Sequence, residues 1–240
     1  MVKAIYDDIY RDLRKGILDG DYPYQSFLPS ESMLIKKFGC AHNTVRKALA
    51  ILSEQGFVQP IHGKGVRVIY LPPKKTLFTL GGIETFKETA RRNHLKVQTE
   101  IKTFELIEAD SALSELTGFQ EGSKLYYIER IRRLDGKALI FDKNYFLAST
   151  VVDLTPDIAK DSVYEYIENV LGMRIATSKR TLTVERTTNQ DERYLDVEDY
   201  DFLAVVSGQT FNGDGIMFEY TQSRHRPDYF AFYSTAIRGK

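Results

Sequence analysis

Arg130 and Arg132 stand two residues apart in the run Lys124–Leu134, which is rich in β-forming side chains. Alternation along a strand projects both guanidinium groups from one face, where they can clamp a phosphate through charge-assisted hydrogen bonds. Asp142, Glu219 and His225 are suited to hold the hydroxyl groups of a ligand in one orientation, and Glu219 and His225 fall at even spacing on one predicted strand. Ser162 opens a predicted helix, and so does Thr85-Phe86 after Gly81-Gly82; a helix start turns free N–H groups toward an anion. Each residue also has a plainer role. The arginines can pair with carboxylates across a sheet, Asp142 can form a local salt bridge, and Arg224-His225-Arg226 can face solvent. Tyr164 and Tyr166 are expected in core or dimer packing rather than against a ligand.

A second group of residues has a different chemistry. Val45, Ala48, Leu49 and Leu52 recur at i, i+3, i+4 and i+7, which gives one buried helical face. Asn43 and Lys47 lie opposite, with Arg46 on the flank. Such a basic helix, set after a tight glycine turn from another helix, fits a DNA major groove. Arg46 can form two hydrogen bonds to a guanine edge, and Lys47 can neutralise a phosphate. Lys36 and Lys37 can hold the backbone beside it. His62-Gly63-Lys64-Gly65 forms a glycine-rich tip that can approach the minor groove. Ser30, Lys36, His42, Asn43, Thr44, Arg46, Lys47, His62, Gly63 and Lys64 are the candidate DNA contacts. Solvated surface charge is the alternative for each alone, but the ordered combination favours DNA.

Catalytic signatures are missing. There is no HExxH, GxSxG, Walker or GxGxxG sequence, and the four histidines stand apart at positions 42, 62, 94 and 225. No catalytic residue, metal or cofactor is expected. The single cysteine, Cys40, rules out an intrachain disulfide and a cysteine-built zinc site, and is expected as a small buried turn residue. No run of 18 apolar residues exists, and the acidic N-terminal stretch lacks a secretory signal, so a cytoplasmic protein without membrane contact is expected.

The elements that must position these groups can be read from periodicity. Ile5, Ile9, Leu13 and Ile17 draw a stripe along a first helix that stops at Gly20. Ser30 can cap a second helix, which buries Leu34 and Phe38 and ends at Gly39. The basic third helix closes at Gly56, and two β-prone runs around the 62–65 turn make a hairpin. Leu71-Pro72-Pro73-Lys74-Lys75 reads as a stiff linker. The expected domains are therefore residues 1–70, a linker at 71–76, and residues 77–240. The 240-residue chain has no net charge, but the first 70 residues hold ten Lys and Arg against seven Asp and Glu, and the rest hold 23 against 26. That asymmetry suits a DNA-reading head on an acidic body.

Beyond the linker, strands are expected at 96–108, 124–134, 137–145, 179–187, 202–211, 216–226 and 229–236. Asp135-Gly136 and Asn212-Gly213-Asp214-Gly215 are the turn signals. Helical patterns occupy 85–92, 110–116 and 162–171. The fold class is α+β: a winged helix-turn-helix followed by an antiparallel sheet with helices packed against it.

The run LPSES through KFGCAHNTVRKALAILSEQGFVQPIHGKGVRV resembles the winged helix-turn-helix of the GntR family, over about residues 4–69. Ser32 stands where that family usually has Arg, Ala41-His42 where it has Ser-Arg, and Val66 where it has Thr. Losing the serine leaves Asn43 as the candidate cap of the third helix. The remainder resembles the UTRA effector domain of the HutC branch, a fold similar to chorismate lyase. FDKNYF, SVYEYIENVLG, DVEDYDFLAVVSGQTF and EYTQSRHRPDYFAF resemble trehalose-operon repressors of that branch. The resemblance implies a homodimeric repressor of sugar-utilisation genes that binds a palindromic operator and is released by trehalose 6-phosphate. It assigns the phosphate to Thr85, Phe86, Arg130, Arg132 and Ser162, and the sugar to Asp142, Glu219 and His225. The alternatives are the same architecture sensing another ligand, such as an amino-sugar phosphate, or an enzyme acting on a sugar phosphate.

Overall fold

A computed structural model of the chain describes residues 5–71, 78–79, 83, 86–92 and 95–233. The described residues fall into two compact units, one up to residue 71 and one from residue 78 to residue 233.

The first unit is built by three helices: α1 (Ile5–Asp19), α2 (Glu31–Phe38) and α3 (His42–Glu54). Ile9, Leu13 and Ile17 of α1 meet Leu34 of α2 and Val45, Ala48, Leu49 and Leu52 of α3 in one core. Phe38 and Cys40 pack on it only half-buried. Ser30 caps α2 by accepting from the Met33 amide at 3.3 Å, and Gly39 ends it at φ 60°, a conformation open to glycine. At α3 the structure corrects the expected cap. Ala41 is the capping residue and makes no side-chain hydrogen bond, while Asn43 lies inside the first turn. Strands β1 (Val58–Ile61) and β2 (Gly65–Val68) form the hairpin, with Ile61 opposite Gly65 around the tip at 62–64. Phe27 forms an isolated antiparallel bridge to Arg67, and backbone hydrogen bonds joining Gln25, Ser26 and Leu28 to Val66 and Val68 hold the segment before α2 beside β2.

The second unit opens with β3 (Phe78–Thr79), α4 (Phe86–Arg92) and the long strand β4 (Val97–Glu108). After α5 (Ser111–Thr117) come β5 (Lys124–Leu134) and β6 (Lys137–Leu147), joined at Asp135-Gly136 with φ 49° and 87°. Two short helices, α6 (Pro156–Asp161) and α7 (Val163–Asn169), precede β7 (Ile175–Arg186). Then follow α8 (Asn189–Tyr194), β8 (Phe202–Asn212), β9 (Met217–His225) and β10 (Phe232–Tyr233). Six strands form one antiparallel sheet in the order β4-β5-β6-β9-β8-β7, and β10 pairs with β3 in parallel.

The central strands carry runs of four or five consecutive buried residues, so both faces of the sheet are covered, each with its own packing. Ile128 and Phe146 meet Ala159, Val163 and Ile167 of α6 and α7 on one side. Ile131, Phe141, Leu203 and Val205 meet Leu195 after α8 on the other. One strand expectation fails. Residues 227–229 form a 3-10 turn after Pro227, which has no N–H to donate to a ladder, and the described strand beyond it covers only β10. No helix among the described residues is long and apolar enough to cross a membrane.

Candidate functional site

The β5–β6–β9–β8–β7 register gathers the polar residues of one sheet face. Arg130 lies opposite Asp142, Asp142 opposite Ser223, Asn144 opposite Thr221, and Thr210 opposite both Glu219 and Ser178. These residues floor a cavity of about 200 Å³, walled by Phe86 and Lys87 of α4 and by Ser162 and Tyr164 at α7. Phe86, Arg130, Arg132, Asp142, Ser162, Glu219 and His225 all line it. Thr85, the remaining sequence candidate, lies outside the described residues.

The two arginines differ in their surroundings. Arg132 donates from Nε to Asp142 at 2.9 Å and from a terminal nitrogen to Thr99 at 2.7 Å, and its guanidinium stacks 4.9 Å over the Phe86 ring. Arg130 donates to the Asn144 side-chain oxygen at 3.0 Å and to the Ala159 carbonyl at 3.2 Å. Among the described residues no carboxylate forms an ion pair with Arg130. Burial, and then the like charge of Arg132, push its pKa down to about 9. Asp142 and Glu219 act on its charge from a distance, but its direct partners are neutral oxygens, so a bound anion can still gain charge-assisted hydrogen bonds from it.

The acids and the histidine are tuned differently. Burial works to raise Asp142, but Arg132 and Arg130 outweigh it, and Ser223 adds a hydrogen bond at 2.6 Å, so this carboxyl sits below its usual range. Burial raises Glu219, against hydrogen bonds from Tyr164 and Thr210 and the charge of Arg130. Burial also lowers His225 to about 4, so it is a neutral imidazole at pH 7, its ring tilted 44° to that of Phe230 at 4.8 Å between centroids. Ser162 caps α7 by accepting from the Glu165 amide at 3.3 Å. Its hydroxyl oxygen is thus already engaged.

Several cavity residues escape sequence reasoning. Tyr164 packs against the core beside Phe218, as expected, and also donates to Glu219 at 2.5 Å inside the cavity. Tyr166 does bond elsewhere, to the Val152 carbonyl. Lys87 ties α4 to Asp161 and Glu165 at 2.9 and 3.1 Å. Asn144, Thr221 and Ser223 share the even spacing of Asp142 and Glu219, and that parity is the signal that would have found them. Gly208 lies on the floor, where a Cβ would come within 2.8 Å of the Lys179 carbonyl. Among the described residues no group of His, Cys, Asp and Glu is placed to hold a metal ion.

The first unit carries the basic surface. His42, Asn43, Arg46 and Lys47 are exposed along α3, Lys36 is exposed on α2, and Thr44 is half-buried. Glu31 joins this surface: its carboxylate meets His42 at 2.7 Å and Arg46 at 3.3 Å. Lys47 lies 3.9 Å over the Tyr6 ring, and Lys37 is occupied by Asp12 at 2.7 Å. Ser30 stands at the start of α2. His62, Gly63 and Lys64 form the exposed hairpin tip, with Gly63 at φ 71°.

Two family models match the chain: "Bacterial regulatory proteins, gntR family" over residues 5–68 and the UTRA domain over residues 92–231. The HTH-type transcriptional regulator TreR of Bacillus subtilis (strain 168) is 35% identical over 97% of this chain and 97% of its own length. The Escherichia coli (strain K12) repressor MngR, of a mannosyl-D-glycerate transport and metabolism system, is 26% identical over 98% and 97%. The solved structure of the B. subtilis trehalose repressor effector-binding domain superposes with a TM-score of 0.54 and 35% identity, over 60% of this chain and 99% of that one. The possible transcriptional regulator YydK of B. subtilis superposes over 98% of this chain and all of its own, with a TM-score of 0.82 at 20% identity. These relatives are transcriptional regulators and not enzymes.

Proposed function

The chain belongs to the gntR family of bacterial regulatory proteins, as a UTRA-domain transcriptional regulator, and from that premise we propose that it is a repressor released from its operator by trehalose 6-phosphate. The observation that carries the anionic part of this reading is Arg130, buried on the cavity floor with no carboxylate in direct ion-pair contact among the described residues. A phosphate there gains charge-assisted hydrogen bonds from a buried guanidinium that Asp142 and Glu219 stabilise only from a distance. Phe86, Arg132 and Ser162 flank that position, and Thr85 is its further candidate.

The sugar side rests on Asp142, Glu219 and His225. They present one carboxylate locked by Arg132, one carboxyl held by Tyr164, and one neutral imidazole. Fixed polar groups of this kind hold hydroxyls in a single orientation. The 35% identity to TreR supports trehalose as the sugar. The 26% identity to MngR supports a second reading, in which the same cavity takes another anionic sugar.

For DNA, we assign base reading to Asn43, Thr44 and Arg46 on α3. Phosphate contacts fall to Ser30, Lys36, His42 and Lys47, and His62, Gly63 and Lys64 enter the minor groove. One short helix reads few base pairs, so two heads on a palindromic operator are required. The active form is therefore a homodimer in the cytoplasm. Calorimetric titration with trehalose 6-phosphate, trehalose, glucosamine 6-phosphate and mannosyl-D-glycerate tests the assignment. Tightest binding by a compound without a phosphate would remove it.

A further inference from the structure

The six-stranded sheet has two edges, and they are unlike. The β4 edge carries Glu100, Lys102, Glu105 and Glu108 and is interrupted by a bulge at Ile101/Thr103, devices that discourage another strand from pairing. The β7 edge has neither proline nor irregularity beyond Thr177, and Thr181, Leu182, Thr183 and Val184 are exposed in succession. Val184 is 72% exposed and Leu182 39%, beside Phe202 at 44%. Among the described residues no strand pairs with the outer side of β7, so this edge presents backbone donors and acceptors along a regular strand.

We propose that β7 joins two copies of this chain, paired antiparallel about a twofold axis through Leu182. The side chains are self-complementary in that register. Leu182 faces its own copy, Lys179 faces Glu185, and Thr181 faces Thr183, each of these two pairs occurring twice. A shift of the axis to Thr181 sets Lys179 against Thr183 and Glu185 against Thr177. A shift to Thr183 brings Arg180 against Arg186. Opposite charges directly across an antiparallel pair stabilise it and like charges disfavour it, so one register in three is selected. Both charged members are already anchored in the single chain: Lys179 lies 5.2 Å from the Phe211 ring centroid, and Glu185 accepts from Arg224 at 2.6 Å.

The seam also meets the cavity, because Ser178 and Arg180 of β7 line it. In the Leu182 register the second copy's Val184 stands opposite Arg180, and its Arg186 opposite Ser178. A ligand touching β7 then acts on the strand that joins the copies. This inference rests on the homodimer reading above and names its interface.

The test uses the full chain with Cys40→Ser, carrying Leu182→Cys or Val184→Cys, treated with diamide. Across an antiparallel pair, self-facing residues are within disulfide reach and residues two positions off are not. We expect a disulfide dimer from Leu182→Cys and little from Val184→Cys. By sedimentation, Lys179→Glu weakens the dimer about tenfold, and mixing it with Glu185→Lys restores both cross-strand pairs. A wild-type dimer that is not cross-linked at 182 and is unmoved by Lys179→Glu overturns the β7 seam and leaves the homodimer standing. A wild-type monomer at concentrations that saturate operator overturns both.

Discussion

Arg132 and Asp142 form a buried ion pair across β5 and β6, with Nε 2.9 Å from the carboxylate and Ser223 bonded to the second oxygen. The pair is closed on itself. Its net charge is near zero, so the anion-seeking group on this strand face is Arg130. Removing one member strands the other. Arg132→Ala or Asp142→Ala should therefore each lower unfolding free energy by about 3–5 kcal/mol, the usual loss when half of a buried pair is deleted. Urea titration measures this. A loss below about 1 kcal/mol would show that the pair is solvated rather than buried.

His225 makes stability depend on pH in a stated direction. Its folded pKa is near 4, below the ordinary 6.5, so the unfolded chain binds the extra proton first. Stability from this group is complete above about pH 6.5 and falls as pH drops toward 4, by at most about 3 kcal/mol. Denaturant melts from pH 7 to pH 4.5 should show the slope, and His225→Gln should flatten it. An unchanged slope in that variant assigns the acid sensitivity to other groups.

On the DNA-reading unit, Glu31 holds both His42 and Arg46. Arg46→Ala should weaken operator binding by about 1–3 kcal/mol and relax base preference, as the loss of a bidentate contact does. Lys47→Ala should weaken specific and random DNA alike. Glu31→Gln removes a carboxylate from the DNA-facing surface and releases Arg46 and His42 from it. It should tighten binding by up to about 1 kcal/mol, most at low salt. Fluorescence anisotropy at fixed ionic strength reads all three, and operator affinity unchanged by Arg46→Ala would place α3 outside the groove.

Much of this architecture was legible because local signals agreed. Asp135-Gly136 between two alternating runs fixed the β5–β6 hairpin, and the four-residue stripe of Val45, Ala48, Leu49 and Leu52 fixed the buried face of α3. Parity placed Arg130 with Arg132 and Glu219 with His225. What parity cannot give is register between strands distant in sequence. That register sets Thr210 beside Glu219, and the packing of α7 then brings Tyr164 onto the same carboxyl. The helix α8 is only six residues long and has no apolar period, but its Thr188–Asp191 capping box was a readable start signal. The Arg132–Asp142 pair was foreseeable as a class of contact but not as this partner, because an irregularity at Arg132/Arg133 shifts the β5–β6 register by one residue and brings Asp142 onto the arginine face.

The Tyr164–Glu219 contact makes a further prediction about selectivity. Tyr164→Phe removes the donor that fixes Glu219 in the cavity, without emptying the space the ring fills. Affinity for the sugar phosphate should fall by about 1–2 kcal/mol, while discrimination against inorganic phosphate narrows. Competition calorimetry separates the two effects. Equal loss for phosphate and sugar phosphate would move Tyr164 to the anion side.

The central claim is that an anion bound at Arg130 releases DNA. The direct measurement is a titration of operator-bound protein with trehalose 6-phosphate and with trehalose, in wild type and in Arg130→Gln. Linkage requires that ligand weaken operator binding by the same factor by which operator weakens ligand binding, typically about 1–3 kcal/mol. The account predicts release of wild type by the phosphorylated sugar, little release by trehalose, and an Arg130→Gln protein that holds its operator at either ligand. Full release of Arg130→Gln by trehalose 6-phosphate would contradict it.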